Sequence, residues 1–158
     1  MTMTAEPGCV FCAIVASRAP AVVLLREDSC VAFLDLFPIA RGHALVVPVE
    51  HAATLGELPP SVQRELFAMA GKVLEAQRLS GLPFSGGNLL LNDGRAANQH
   101  IPHVHVHVVP RTSGDLPRIV GGLVRRLLRG FGARASRKRL EETAVLLRPY
   151  LGVASDGG

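Results

Sequence analysis

Apolar residues along the chain follow two kinds of spacing. Short β-favouring runs stand at "AVVLLR" (21–26), "SCVAFLD" (29–35), "HALVVPV" (43–49), "NLLLN" (88–92) and "HVHVHVV" (103–109), each with Gly, Pro, Asp or Asn nearby, the punctuation expected of strands. Between the third and fourth runs lies "SVQRELFAMAGKVLEAQRLSG" (61–81), where Val62, Leu66, Met69, Ala70, Val73 and Leu74 recur at helical spacing. Pro59 and Pro60 precede it, Ser61 can cap it and Gly81 can end it, which predicts one amphipathic helix of about five turns. The tail adds "RIVGGLVRRLLRGF" and "RLEETAVLLRPYL", each with an apolar stripe, joined by a Gly- and Ala-containing stretch, "RGFGARAS", that reads as a mobile joint. No internal repeat is visible. The predicted class is α+β: a five-stranded antiparallel sheet with one long central helix packed on a face, followed by C-terminal helices.

At 158 residues with 48% hydrophobic content, the chain suits one domain with a proper core. The expectation is a single domain over 1–158, with its core at about 9–111 and a helical, Arg-rich extension at 112–158. The opening "MTMTAEPGCVFC" lacks a cationic segment followed by an apolar run, and nowhere do eighteen apolar residues follow one another. A cytoplasmic protein with no membrane partner is expected. Three cysteines are an odd count for a disulfide scaffold, and two stand in Cys9-Val10-Phe11-Cys12, a spacing that points to metal or redox chemistry in a reducing compartment. Cys30, inside the second strand, reads as a buried thiol.

The net charge of +4 suits a phosphate-bearing partner without choosing one. Nine of the seventeen basic residues fall between Arg111 and Arg139, where Asp115 is the only acid. That segment reads as a solvated face, with a nucleic-acid or polyphosphate contact as the alternative. The absence of Trp and the single Tyr leave no aromatic platform for single strands, so nucleic acid is not the expected partner.

Four of the six histidines, His100, His103, His105 and His107, occupy eight positions. On an extended strand His103, His105 and His107 share one face at intervals of roughly 6.6 Å, while Val104, Val106 and Val108 enter the core. A row of imidazoles suits metal coordination or transfer of an anionic group near neutral pH. His43 and His51 bracket the third strand, eight residues apart, or roughly 26 Å if fully extended. They therefore serve two separate sites. His51 and one end of the histidine strand can join Cys9 and Cys12 to give the two-sulfur, two-nitrogen set that tetrahedral zinc prefers.

Taken together, "CVFCAIV", "CVAFLDLFPIARGHALVVPVEH", the central helix, "NLLLNDG" and "NQHIPHVHVHVVPR" resemble the histidine-triad (HIT) nucleotide hydrolases and transferases, over residues 9 to about 111. "RLEETAVLLRPYL" is similar to the last helix of bacterial members. The resemblance implies a homodimer binding a nucleotide over the histidines. It makes His105 the nucleophile at the α-phosphorus, with His107 and His43 holding phosphate oxygens, and it requires no catalytic metal. It further implies Asp35 at the ribose, Phe33 and Leu36 beside the base, and Asn92 and Gln99 near the phosphate and leaving group; on their own, Asp35 and Asn92 read equally as strand-ending residues bonded to their turns. It assigns structural zinc to Cys9, Cys12, His51 and His103.

His100 stands where many relatives carry Ser or Thr, and Asn98 where they carry Gly. The implied activity is hydrolysis of nucleoside 5′-phosphoramidates or related conjugates through a nucleotidyl-histidine. The alternatives are cleavage or phosphorolysis of dinucleoside polyphosphates, and a zinc-stapled nucleotide sensor or scaffold.

Overall fold

The computed structural model describes residues 6–129 and 134–152. Five strands form one sheet: β1 (Val23–Arg26), β2 (Cys30–Leu34), β3 (Ala44–Pro48), β4 (Gly86–Leu91) and β5 (Val106–Arg111). Their spatial order is β1-β2-β3-β5-β4, and every neighbouring pair is antiparallel. Helices α1 (Val10–Val15), α2 (Pro60–Leu79), α3 (Leu116–Arg129) and α4 (Arg137–Leu147) complete the fold. The five-stranded sheet, the long helix and the C-terminal helices are those the apolar pattern predicts; the proposed joint falls partly on residues 130–133, outside the described residues.

Each face of the sheet has its own apolar cluster. Ala32, Leu34, Ala44, Val46, Val106 and Val108 pack with Leu66, Met69, Ala70 and Val73 of α2 and with Leu140, Ala144 and Leu147 of α4. On the other face Val31, Phe33, Leu45 and Val47 meet Phe11, Ile14 and Val15 of α1. Strands β2 and β3 are covered on both sides and buried along their whole length, which is why they read as continuous apolar runs instead of alternating ones.

Three local expectations are corrected. The histidine run enters the sheet only at Val106; Val104 N–H instead bonds the Ala52 carbonyl at 2.8 Å, so the first two triad residues sit in an irregular approach to β5. Ser61 does not cap α2. Pro60 takes the first helical position, where its missing N–H costs nothing and its fixed φ already suits a helix. At the other end Ser80 is the cap and Gly81 follows with φ +77°, the left-handed turn that favours glycine. Strand β1 begins at Val23 instead of Ala21.

Candidate active site and metal centre

Alternation along β5 puts His107 on the sheet face opposite Val106 and Val108, and it pairs across β3 with Leu45. His43, two residues before Leu45, shares that face, so the two imidazoles lie diagonally across the strand pair, with His43 Nε2 3.0 Å from His107 Nδ1. His43 is fully buried and His107 half-buried. His105 is tucked against the edge of the Phe11 ring, 5.2 Å between centroids, and stands 4.9 Å from His107.

The orientation of His105 follows from one bond. Its Nδ1 lies 2.8 Å from the carbonyl oxygen of His103. A carbonyl can only accept, so Nδ1 carries the proton and, in the neutral ring, Nε2 carries the lone pair.

Asp35 closes the other end of the His43 ring. Its Oδ1 accepts from Phe37 N–H at 2.9 Å, an Asx turn, while Oδ2 stands 3.3 Å from His43 Nδ1. That second contact lies within ion-pair distance but lacks hydrogen-bond geometry, and Oδ2 is a buried oxygen with no hydrogen bond among the described residues. Ile39 N–H reaches the same Nδ1 at 3.2 Å. Two demands compete for one nitrogen: the amide needs a lone pair there, and the carboxylate favours a proton. Asp35, His43 and His107 could be read as a second set of metal ligands. Because the two ring nitrogens of His43 face opposite neighbours, the geometry is better described as a hydrogen-bonded row than as a chelate.

The remaining expected nucleotide contacts differ in availability. Leu36 is exposed, whereas Phe33 is buried behind Phe11, 5.7 Å between centroids. Asn92 is half-buried just beyond β4. Gln99 has both ends of its amide engaged, accepting from Gly94 N–H at 2.7 Å and donating to the Ala53 carbonyl at 2.8 Å. Here it clamps two loops. His100 is exposed beside it, and Asn98 adopts φ +66°, a left-handed conformation that Asn tolerates better than most residues.

A separate cluster forms where α1 meets the approach to β5. Cys9 caps α1 and Cys12 lies in its first turn; residues three apart on a helix share a side. His51 follows β3, and His103 precedes β5. Cys12 Sγ lies 3.3 Å from His51 Nδ1 and 3.6 Å from His103 Nδ1, and Cys9 Sγ lies 3.5 Å from His103 Nδ1. A tetrahedral zinc with bonds of roughly 2.3 Å to sulfur and roughly 2.0–2.1 Å to nitrogen needs sulfur–nitrogen edges of roughly 3.5 Å. The cluster fits. His103 Nε2 donates to the Pro48 carbonyl at 3.0 Å, so its Nδ1 presents a lone pair to the sulfurs, as an orienting outer contact does in metal sites. Burial depresses the His103 imidazole to about 4 and raises the Cys12 thiol. The imidazole is therefore neutral, as a ligand must be, and the thiol needs a cation to ionise.

The HIT-domain family model matches residues 16–114. The chain belongs to the HIT family. Among HIT relatives, an uncharacterized HIT-like protein of Mycobacterium tuberculosis is 38% identical over 118 residues, covering 75% of this chain and 81% of its own length. The adenosine 5′-monophosphoramidase of Saccharomyces cerevisiae is 34% identical over 118 residues, covering 75% of this chain and 72% of the yeast protein. The adenylylsulfatase of Arabidopsis thaliana is 39% identical over 114 residues, covering 71% of this chain and 56% of the plant protein. Among solved HIT structures, a Zn-bound histidine triad family protein from Mycobacterium smegmatis superposes with a TM-score of 0.74 at 38% identity, covering 91% of this chain and 93% of that one.

Sequence reasoning missed two residues that shape the site. Gln77 of α2 is fully buried, and its Nε2 donates to the Gly42 carbonyl at 2.9 Å and the Val108 carbonyl at 3.1 Å. It ties together the strand positions adjoining His43 and His107. The available signal was a polar residue at a stripe position, four beyond Val73 and seven beyond Ala70. Thr143 of α4 is the second: its Oγ1 accepts from Arg41 Nε at 3.2 Å, and near it Ala135 N–H bonds the Leu36 carbonyl at 2.9 Å. The C-terminal helix is thereby fastened to the loop that carries Asp35, Leu36 and His43. No local pattern announces a contact of that range.

Proposed function

We propose that the chain is a nucleotide hydrolase acting at the α-phosphate of nucleoside 5′-phosphoramidates or related nucleotide conjugates, through a nucleotidyl intermediate on His105. The observation that carries this reading is the His105 Nδ1 to His103 carbonyl bond at 2.8 Å, which aims the lone pair of Nε2 away from the backbone. In the first step Nε2 attacks the α-phosphorus, a phosphorus–nitrogen bond forms, and the bond to the leaving amine breaks as that amine takes up a proton. Water then attacks the same phosphorus, frees the nucleoside monophosphate and returns Nε2 to its starting state. Splitting one displacement in two is the usual gain from a covalent nucleophile.

His107 supplies a donor to the phosphate oxygens as charge builds there, worth roughly 10² to 10³ in rate, and His43, its Nε2 3.0 Å from His107 Nδ1, orients that ring from beneath. Leu36 would border the base with Phe33 behind it, Asp35 would accept from the ribose, and Asn92 would meet the leaving group, while Gln99 holds the neighbouring loops through Gly94 and Ala53. Similarity to the yeast adenosine 5′-monophosphoramidase supports the substrate class, and similarity to the plant adenylylsulfatase supports tolerance of leaving groups other than an amine.

Cys9, Cys12, His51 and His103 would hold a structural zinc, a reading supported by their fit to tetrahedral edges and by the Zn-bound relative. When bound, the metal would staple α1 to the loops entering β5. Residues 1–158 are read as one HIT domain with a C-terminal extension, acting in the cytoplasm. Leu89 and Leu90, exposed on edge strand β4, support a homodimer.

The test is mass spectrometry of the intact protein mixed with an adenosine 5′-phosphoramidate and quenched in alkali. An added AMP that is absent in His105→Ala is expected, with kcat falling by at least roughly 10³ while nucleotide affinity is kept. Turnover without an adduct, or an active His105→Ala, would overturn the covalent route. Preferred turnover of a diadenosine polyphosphate would move the assignment to that substrate class.

A further inference from the structure

Among the described residues, none of the basic side chains after β5 contacts the histidine site or the zinc cluster. Helix α3 follows Asp115, which is fixed to the end of β5 by a bidentate Arg111 guanidinium (3.0 and 3.1 Å from Nε, 2.6 Å from Nη2) and by Thr112 N–H at 2.9 Å. Its sequence, "LPRIVGGLVRRLLR", contains four arginines and no acid. As a sequence pattern, a period of 3.6 groups the apolar positions 116, 119, 120, 123, 124 and 127 into one stripe and sets the arginine positions 118, 125 and 129 apart from it.

Three of the described residues on that face are exposed, and Ile119 is half-buried. Leu116 is 61% exposed, Val120 49% and Val124 46%. A Cβ added at Gly121 or Gly122 meets nothing within 4 Å, so the flanks of the helix are also open. The core takes its helical cover from elsewhere, with α2 lying across β2, β3 and β5 and α4 packing on α2 and β1. A helix of this length with two interior glycines gains little from its own propensity. It needs a surface.

We infer that α3 is an interfacial helix that lays its apolar face into an anionic lipid bilayer, with the arginines at the headgroups. Charge selects this occupant. A second copy of the chain would bring one acid-free, Arg-rich helix against another, whereas acidic headgroups complement the arginines and acyl chains complement the valines and leucine. Nucleic acid would satisfy the arginines and leave the exposed apolar residues unused. No helix among the described residues is long and apolar enough to cross a membrane. The sequence-based expectation of no membrane partner rested on spanning segments, which says nothing of a helix lying on the surface. Because α3 is rooted at the end of the strand that carries His107, binding would hold the candidate active site close to the bilayer.

The experiment is co-sedimentation of the full-length protein with vesicles of phosphatidylcholine alone and of phosphatidylcholine with one-third phosphatidylglycerol, at low and high salt. Binding to the anionic vesicles is expected, weakened by salt. Val120→Asp/Val124→Asp and Arg125→Glu/Arg126→Glu should each reduce partitioning at least roughly tenfold. Val120 and Val124 are exposed, so the melting temperature of Val120→Asp/Val124→Asp should stay unchanged. Protein that remains in the supernatant with both vesicles overturns the proposal, as does binding that survives Val120→Asp/Val124→Asp. A concentration-dependent mass that this pair abolishes, without vesicle binding, assigns the face to a second copy instead. Binding to duplex DNA that is lost with the arginine reversal and kept by the valine pair assigns the segment to nucleic acid.

Discussion

His43 Nε2 stands 3.0 Å from His107 Nδ1, so residues 64 apart in sequence form one proton-sharing unit beneath the proposed phosphate position. Groups that work as a unit give non-additive losses on mutation. Replacing either histidine by Ala is expected to lower kcat/KM by roughly 10² or more. The double variant should fall little below the worse single one. Steady-state kinetics of the three variants decide the point: losses that multiply would mean that the rings act independently and that the 3.0 Å contact is incidental.

The four-residue cluster makes a prediction about stability. Removing one ligand leaves a thiol and two imidazoles crowded in a buried place without the cation that would favour their ligand forms. Cys9→Ser should therefore purify with less zinc and melt at least about 2–4 °C lower, the shift roughly 1 kcal/mol produces in a chain of this size. The nucleotide site, on the other side of His103, should keep its affinity. Acid should act in the same direction. His103 is held at about 4 by burial, below the ordinary 6.5, so the unfolded chain binds its proton first as the pH falls. The stability contributed by neutral His103 is complete above about 6.5 and is lost as the pH drops through 4. Melting curves of the chelator-treated protein between about pH 7 and pH 4 measure this, and a melting temperature indifferent to pH in that window would contradict it.

Gln77 donates to two carbonyls at once from a fully buried position. Gln77→Leu keeps the volume and removes both hydrogen bonds, to the Gly42 and Val108 carbonyls, at an expected cost of about 1–3 kcal/mol. Gln77→Glu should be worse, because an acceptor-only carboxylate would face two acceptors. Denaturant unfolding compares them. If the activity of Gln77→Leu falls more than its fraction folded explains, the clamp also sets the spacing of His43 and His107.

Short-range periodicity accounts for the parts of the molecule that were legible in the sequence. The alternation of "HVHVHVV" sorts His107 from the core valines 106 and 108, because a strand has period two, and Val104 is buried with them although it precedes β5. The separation of His43 from His51 along one strand divides the histidines between two clusters before any fold is known. Features that depend on long-range approach were not readable. Val104 pairs with Ala52 instead of a sheet neighbour, which shortens β5. Asp35 meets His43 because the loop between β2 and β3 folds back through its own Asx turn. Gln99 spends its amide on Gly94 and Ala53, in two loops that only the assembled fold brings together.

The fastening of α4 to the loop after β2 supplies the last prediction. Thr143 Oγ1 accepts from Arg41 Nε at 3.2 Å and donates to the Arg139 carbonyl at 2.8 Å, so the hydroxyl sits between helix and loop. Thr143→Val keeps the shape and takes away the acceptor. The helix should survive, because Leu140, Ala144 and Leu147 remain buried in the core. The loop carrying Asp35 and Leu36 should loosen, which weakens ground-state and transition-state binding alike and raises KM by roughly 3- to 10-fold with kcat almost unchanged. Arg41→Ala should match it, and the double variant should add nothing, since both remove the same contact. A fall in kcat at constant KM would mean that α4 governs the position of His43 instead of the nucleotide pocket, and would place the role of the C-terminal extension in the chemical step.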